Sequence, residues 1–557
     1  MKGDFSMADA SYDAILVGGG HHATIIACYL QKAGLKTAVF ERQHEIGGGA
    51  CGEDLPLPGF IQNPCAHWTR FWAHPAYKDF NLKDYGLKYV FPEQNEGIIW
   101  DDGTAFVGYS CLRVDPETGK EYFSQLHFDK TYNEIAKFSQ RDAETYADLY
   151  KKYETKWRAA FREYRYSPPT PYGTPDALER LLLDPDSGIE PVHQFMSSKQ
   201  LAYDLFESDE LRTLFMRGLN TSTGCFPDDV PGLYGFIHSL ALVLSWECSS
   251  IVIGGTHTIT HALQRAFTEM GGHFFVHHEV NNVIVQNGKA VGVKLVNGAE
   301  IKANKFVVSD LGVPQTMFRL LGESYLTPKQ AHRVRNIDYD RSQVWWGNVA
   351  LHELPKYTAS QVNPDVGEQP RLYFGPKDPD YLATKYKAEI YTQGFASRPI
   401  FTTAPDSIWD PTRAPAGKHT IVIEDFAPPH RFFSEREWLR KKKEFVDNLF
   451  KHWVKYAPNM TKDNLIDAFI TTPYDVLNRH PDMKEGGWVM GSMYASQNGR
   501  YRPTPEFSNY KTPVQNLYIC SANLHSGGGI GRGSSYNAYK VIAEEHGLPR
   551  FWEQRAF

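Results

Sequence analysis

The sequence predicts an α/β protein in which one domain is interrupted by another, and three observations carry that prediction. Residues 12–17 (YDAILV) form an apolar run that enters Gly18-Gly19-Gly20, and a helical stretch then leads to a second apolar run, 36–40, closed by Glu41. Near the far end, residues 516–520 (NLYIC) lead through 521–526 into a second glycine cluster, Gly527-Gly528-Gly529. At 557 residues the chain is too long for one simple core, so the two glycine-bearing ends read as parts of one unit with a second domain between them.

The first motif has the order strand, glycine turn, helix, strand, acid that a dinucleotide site requires. Gly18 allows the tight turn, Gly20 lets the backbone approach a pyrophosphate, and Ala23 is small enough for close helix–strand packing. A helix expected over about 21–33 points its first N–H groups and its dipole at the phosphates. Gly34 is placed to end it. Glu41 stands where a carboxylate accepts from a ribose 2′-hydroxyl, which fits FAD or NAD and disfavours a 2′-phosphate. The glycine pattern alone is a weak signal; with the strand and the acid behind it, it becomes specific. Gly47-Gly48-Gly49 then gives a second bare stretch of backbone, suited to the longer cofactor, FAD.

Four segments resemble the phytoene-desaturase-like branch of the FAD-dependent amine oxidase superfamily, which holds carotenoid desaturases and isomerases. They are residues 12–50, residues 254–310 (GGTHTITHALQRAF…FVVSD), residues 414–428 (APAGKHTIVIEDFAP) and the segment from Thr512 (TPVQNLYICSANLHSGGGIGRGSSYNAYKVI). The resemblance implies a Rossmann-like FAD-binding domain of the glutathione-reductase-like flavoprotein type with a discontinuous α+β substrate domain. It places FAD on Gly18, Gly20, His22, Ala23, Glu41, Arg42, Gly47, Gly48, Asn523, Gly528, Gly529 and Ile530, with the Val280 backbone at the adenine. Two departures from the family pattern stand out, Ser521 where Gly is common and Ser526 where Pro is common. Neither removes a glycine, but both put the transfer of a particular substrate in doubt.

The FAD-binding domain is expected over 12–100, 254–322 and 485–557, the substrate domain over 101–253 and 323–484, and a disordered terminus over 1–11. Within the returning part, a helix is expected from about 257 to 270. Asn287-Gly288 and Asn297-Gly298 read as hairpin turns around alternating strands. A polar helix is expected from 139 to about 164, and a final helix from 530 to about 545. The aromatic content of 14 % is high, and much of it lies in the insertions. Core packing accounts for most of it; the resemblance adds a walled apolar cavity over the flavin, hence a hydrophobic small-molecule substrate.

Composition excludes other classes. A net charge of -6, with no Lys/Arg-rich block, gives no footprint for nucleic acid. Seven cysteines without CxxC or CxxH spacing suggest neither a metal site nor a disulfide scaffold, and point to a reducing, cytoplasmic location. Residues 1–11 lack the apolar core of a signal peptide. Residues 233–246 (LYGFIHSLALVLSW) are the nearest approach to a membrane span but are too short and are broken by His238 and Ser239. They read as a buried helix, with peripheral membrane contact or substrate access as the alternative.

Dehydrogenating a C–C bond delivers a hydride to flavin N5 and releases a proton. A substrate activated by a carbonyl needs a base nearby, whereas an allylic polyene is served by carbocation stabilisation. The polar candidates are His525, before the triple glycine, and Tyr536, inside the last helix, as catalytic residues, with His67, Trp68, Arg70 and Trp345 as substrate-binding residues. No second βαβ fingerprint is visible for a nicotinamide nucleotide, which favours oxygen, a quinone or a partner protein as electron acceptor. Dehydrogenation is thus the leading expectation. A redox-neutral isomerase or saturase follows, then an amine oxidase, then a non-catalytic flavin-binding protein.

Overall fold

The computed structural model describes residues 11–554. Of the terminus expected to be disordered, Ser11 already belongs to the first strand, Ser11–Val17, and residues 1–10 lie outside the described residues.

Two seven-stranded sheets organise the described chain. In the first, Ser11–Val17 lies between Thr37–Phe40 and Glu300–Ser309 and runs parallel to both. His273–Phe275 extends the parallel layer on one side, and Leu517–Ile519 joins Glu300–Ser309. The hairpin of Val280–Gln286 and Lys289–Leu295 adds antiparallel strands. Asn287 and Gly288, with φ of 51° and 76°, make its two-residue turn, as the Asn-Gly pair predicts.

The second sheet orders its strands Leu465–Thr471, Val344–Leu351, His419–Phe426, Phe401–Ala404, Arg371–Gly375, Gln94–Trp100 and Ala105–Tyr109. Gln94–Trp100 pairs in parallel with Arg371–Gly375, so the chain enters the second sheet before residue 100. One face of this sheet packs on Trp438, Phe445 and Leu449 of the long helix Glu435–Trp453; the other faces the helices of residues 125–243.

The expected helices form with shifted ends. His21–Lys32 is followed by Ala33 at its cap and Gly34 at φ 86°, and the second is His257–Glu269. The polar pattern from 139 gives Gln140–Lys152, capped by the Ser139 side chain on the Asp142 amide, and continues through a wider turn, Tyr153–Trp157, into Arg158–Tyr166. The last helix starts at Ser534 rather than Ile530, because residues 520–533 stay in the glycine loop. Residues of the apolar run 233–246 form the buried helix Gly232–Val243. Among the described residues no helix is long and apolar enough to cross a membrane.

Candidate functional site

The strand Ser11–Val17 delivers its chain into a turn where Gly18 takes φ 91°, a conformation that favours glycine. The helix begins directly after Gly20, with no side-chain cap and no acid in its first turn. Its first amides therefore keep their donor capacity for an anion. A side chain at Gly20 would meet Asp310 Oδ2 at 2.4 Å, so only glycine fits there. The Gly19 amide donates to Glu41 Oε2 at 2.7 Å, and Glu41 Oε1 accepts from the Gln43 amide at 2.7 Å.

One cavity of about 820 Å³ opens on this turn and continues to the second sheet. Gly18, Gly20, His22, Glu41, Arg42, Gly48, Val280, Gly529 and Ile530 line it, as do His67 and Trp68. The two chain ends expected to share a site thus do so. At the same end, Arg319 donates to the Val280 carbonyl at 3.1 Å, beside Glu279.

Other residues expected in the site serve it from behind or lie elsewhere. Ala23 is fully buried in the helix, and Gly47 pairs with Gly20 through a short parallel bridge. Asn523 accepts from the Val313 amide and donates to the Met490 carbonyl, tying loops together. Gly528 backs against Val489, where a side chain would meet the carbonyl at 2.7 Å. Arg70 donates to the Cys248 carbonyl at 3.0 Å and does not line the cavity.

The catalytic expectations for His525 and Tyr536 and the binding expectation for Trp345 are corrected by packing. His525 is buried against the Tyr164 ring, with Nε2 2.8 Å from the Tyr164 carbonyl, and burial lowers its pKa to about 4. Tyr536 packs among Tyr29, His74 and Tyr166 on the inner face of its helix. Trp345 points to the opposite face of the second sheet, against Trp438 and Phe445, and donates to the Gly394 carbonyl at 2.8 Å. Its neighbour Trp346 is the tryptophan on the cavity wall.

The cavity also holds residues that no motif announced. His21 and His22 stack at 4.1 Å between ring centroids; burial lowers the pKa of His21 to about 4 and pushes His22 well below its usual range, so both imidazoles are neutral at pH 7. Burial pushes the Asp310 carboxyl well above the carboxylate range, against the pull of the Ala23 amide, and Asp482 is raised to about 6 for the same reason. At the far end stand Trp68 and Trp346 edge to face at 5.9 Å, with Thr221, Arg371, Glu424 and Trp488. His67 Nε2 pairs with Asp406 at 3.0 Å, and its Nδ1 lies 3.2 Å from Asn63 Nδ2.

The residues at the glycine turn fit an FAD. An uncapped helix N-terminus faces the diphosphate position, Glu41 the ribose and Val280 the adenine side, and the cavity then runs on past Gly529 and Ile530 into the second domain. Fold and cavity together define a flavin nucleotide oxidoreductase with a separate substrate-side wall. Residues 25–342, more than half of the chain, match the family of flavin containing amine oxidoreductases, and the protein belongs to that family.

One of the two proteins compared by sequence is a component of the limonene dehydrogenase of Castellaniella defragrans, 26 % identical over 97 % of this chain and 96 % of that protein. The other, the phytoene desaturase (lycopene-forming) of Pseudescherichia vulneris, is 22 % identical over 93 % of this chain and 95 % of that protein. Among solved structures, an oxidoreductase from Methanosarcina mazei superposes with a TM-score of 0.57 at 16 % identity, covering 96 % of this chain and 99 % of that one. The protein is an FAD-dependent oxidoreductase related to the desaturase branch of its superfamily.

Proposed function

We propose that the protein dehydrogenates a C–C bond of a hydrophobic alicyclic or isoprenoid-like small molecule. One observation carries this reading. The cavity that begins at Glu41 ends between the indoles of Trp68 and Trp346, so cofactor and an apolar, ring-accepting wall share one enclosed space. The limonene dehydrogenase and phytoene desaturase relatives support the same chemistry by their names.

When bound, FAD supplies the hydride acceptor. The chain's residues do the rest. Trp68 and Trp346 hold the apolar body of the substrate and keep water from it, as the wall of a small-molecule pocket does. Asp406 and Asn63 fix the His67 ring in place beside Trp68. Oxygen, a quinone or a partner protein takes the electrons afterwards.

The test is anaerobic flavin absorbance of the holoprotein during addition of cyclic ketones, terpenes, carotenoids and amines. Bleaching of the oxidised band by a terpene or a cyclic ketone supports the reading and names the class. Bleaching by amines alone replaces it with amine oxidation. Product formed only after chemical reduction of the flavin replaces it with isomerisation or saturation.

A further inference from the structure

The substrate end of the cavity contains a charged pair with unspent hydrogen-bonding capacity. Glu424 stands opposite Trp346 across the antiparallel strands Val344–Leu351 and His419–Phe426, so both side chains leave the sheet on the cavity side. It is 4 % exposed, and among the described residues its carboxylate accepts no hydrogen bond. The nearest cations are engaged elsewhere. Arg217 gives its donors to the Ile400 carbonyl, Thr402 and Thr221. Arg371 pairs through Nη1 with Glu96 at 2.7 Å.

Arg371 is not saturated. It lines the cavity, its guanidinium lies 4.3 Å from the Trp68 ring centre, and its Nε–H is buried with no acceptor. An unmet buried donor and an unmet buried acceptor each cost stability, so a site that keeps both has them reserved for a ligand. His67 is a poorer candidate for proton transfer, since Asp406 and Asn63 take both its ring nitrogens.

We propose that Arg371 and Glu424 form a carbonyl subsite: Arg371 Nε–H donates to the oxygen of an alicyclic ketone, and the Glu424 carboxylate removes a proton from the adjacent carbon. The assignment rests on the dehydrogenase reading above and narrows its substrate to a ring activated by a carbonyl. The step balances. The α C–H bond breaks and its proton goes to Glu424; the β C–H bond breaks and its hydride goes to the oxidised flavin. A C=C bond forms between the two carbons, giving an enone, a protonated Glu424 and reduced flavin. Donation from Arg371 stabilises the enolate charge that develops on oxygen. Burial raises the Glu424 carboxyl above its usual range; Arg217 and Arg371 oppose that, and Asp425 and Glu96 add to it. A carboxylate so raised is a better base near neutral pH.

The experiment uses proton exchange, which needs the base but no net redox change. The holoprotein is incubated with cyclohexanone in D2O, and loss of the α-proton signal is followed by NMR, alongside flavin absorbance. Glu424→Gln is expected to slow exchange by about 10²–10⁴-fold while retaining full FAD content. Glu424→Asp keeps a reduced rate that still rises with pH as the carboxyl ionises, and Arg371→Lys raises the ketone concentration needed. Exchange equal in the wild type and Glu424→Gln, or absent from the wild type, overturns the subsite. Exchange that depends on Glu424 without flavin bleaching leaves the subsite standing and removes the dehydrogenase reading; bleaching that ignores Glu424 does the reverse.

Discussion

The Gly19 amide donates to Oε2 of Glu41 at 2.7 Å, so the acid at the end of the second strand also braces the glycine turn before the first helix. Glu41 thus joins the two parts of the motif before any ribose is present. Glu41→Ala is expected to weaken FAD binding through loss of charged hydrogen bonds worth about 1.5–3 kcal/mol, or roughly 10- to 100-fold in Kd. Titration of the apoprotein with FAD, followed by flavin fluorescence, measures it. An unchanged Kd would remove Glu41 from the site.

Gly20→Ala tests the cradle directly. The added methyl would lie 2.4 Å from Asp310 Oδ2, and relieving that contact costs about 1–3 kcal/mol where helix, strand and cofactor meet. The variant is expected to purify with a lowered flavin-to-protein absorbance ratio, and added FAD is expected to restore it only at higher concentration.

The two adjacent tryptophans separate stability from chemistry. Trp345→Ala empties a fully buried space against Trp438 and Phe445 and is expected to lower unfolding stability by about 3–5 kcal/mol. Trp346→Phe is expected to leave FAD content intact and to raise the substrate concentration needed to reduce the flavin. Melting curves and anaerobic titrations of both variants check the contrast.

Asp406 makes stability depend on pH in a defined direction. Burial works to raise its carboxyl, but His67 and Arg413 hold it below the usual range. A carboxyl depressed on folding contributes stability that is present above its unfolded value, about 3.9, and is lost as pH falls through its folded value. Asp406→Asn leaves Arg413 with Asp410 and His67 with Asn63, at a cost of about 3–5 kcal/mol at pH 7. Urea unfolding at pH 7, 4 and 3 is expected to show the gap between wild type and variant shrinking at the acid end.

His525→Ala is expected to cost about 1–3 kcal/mol of stability through the orphaned Tyr164 carbonyl, with no change in the rate of flavin reduction. A rate loss at unchanged stability would return His525 to the chemistry.

What could be read from sequence was local. Gly18, Gly20 and Glu41 occupy one βαβ unit, whose spacing is set by the length of a strand and a helix, so their roles follow from order alone. The substrate wall is different. Trp346, Arg371 and Glu424 come from three strands that meet only when the second sheet is assembled. Every residue of Val344–Leu351 is buried, so alternation gave no sign of which tryptophan faces the cavity. A shift of one residue reverses the face, and that is the distance between Trp345 and Trp346. His525 and Tyr536 sat near the right glycines, but their side chains turn away into packing that proximity in sequence does not reveal.

The shuttling of the chain between its two sheets has a consequence for synthesis on the ribosome. Ser11–Val17 emerges first, its neighbour Glu300–Ser309 far later, and Leu517–Ile519 with the Gly529 loop near the very end. At about 5–20 residues per second, the nascent chain waits on the order of tens of seconds with a half-formed nucleotide pocket. Cofactor capture is therefore a late, post-translational event, and until it happens the apolar strands of both sheets depend on chaperones to stay unaggregated.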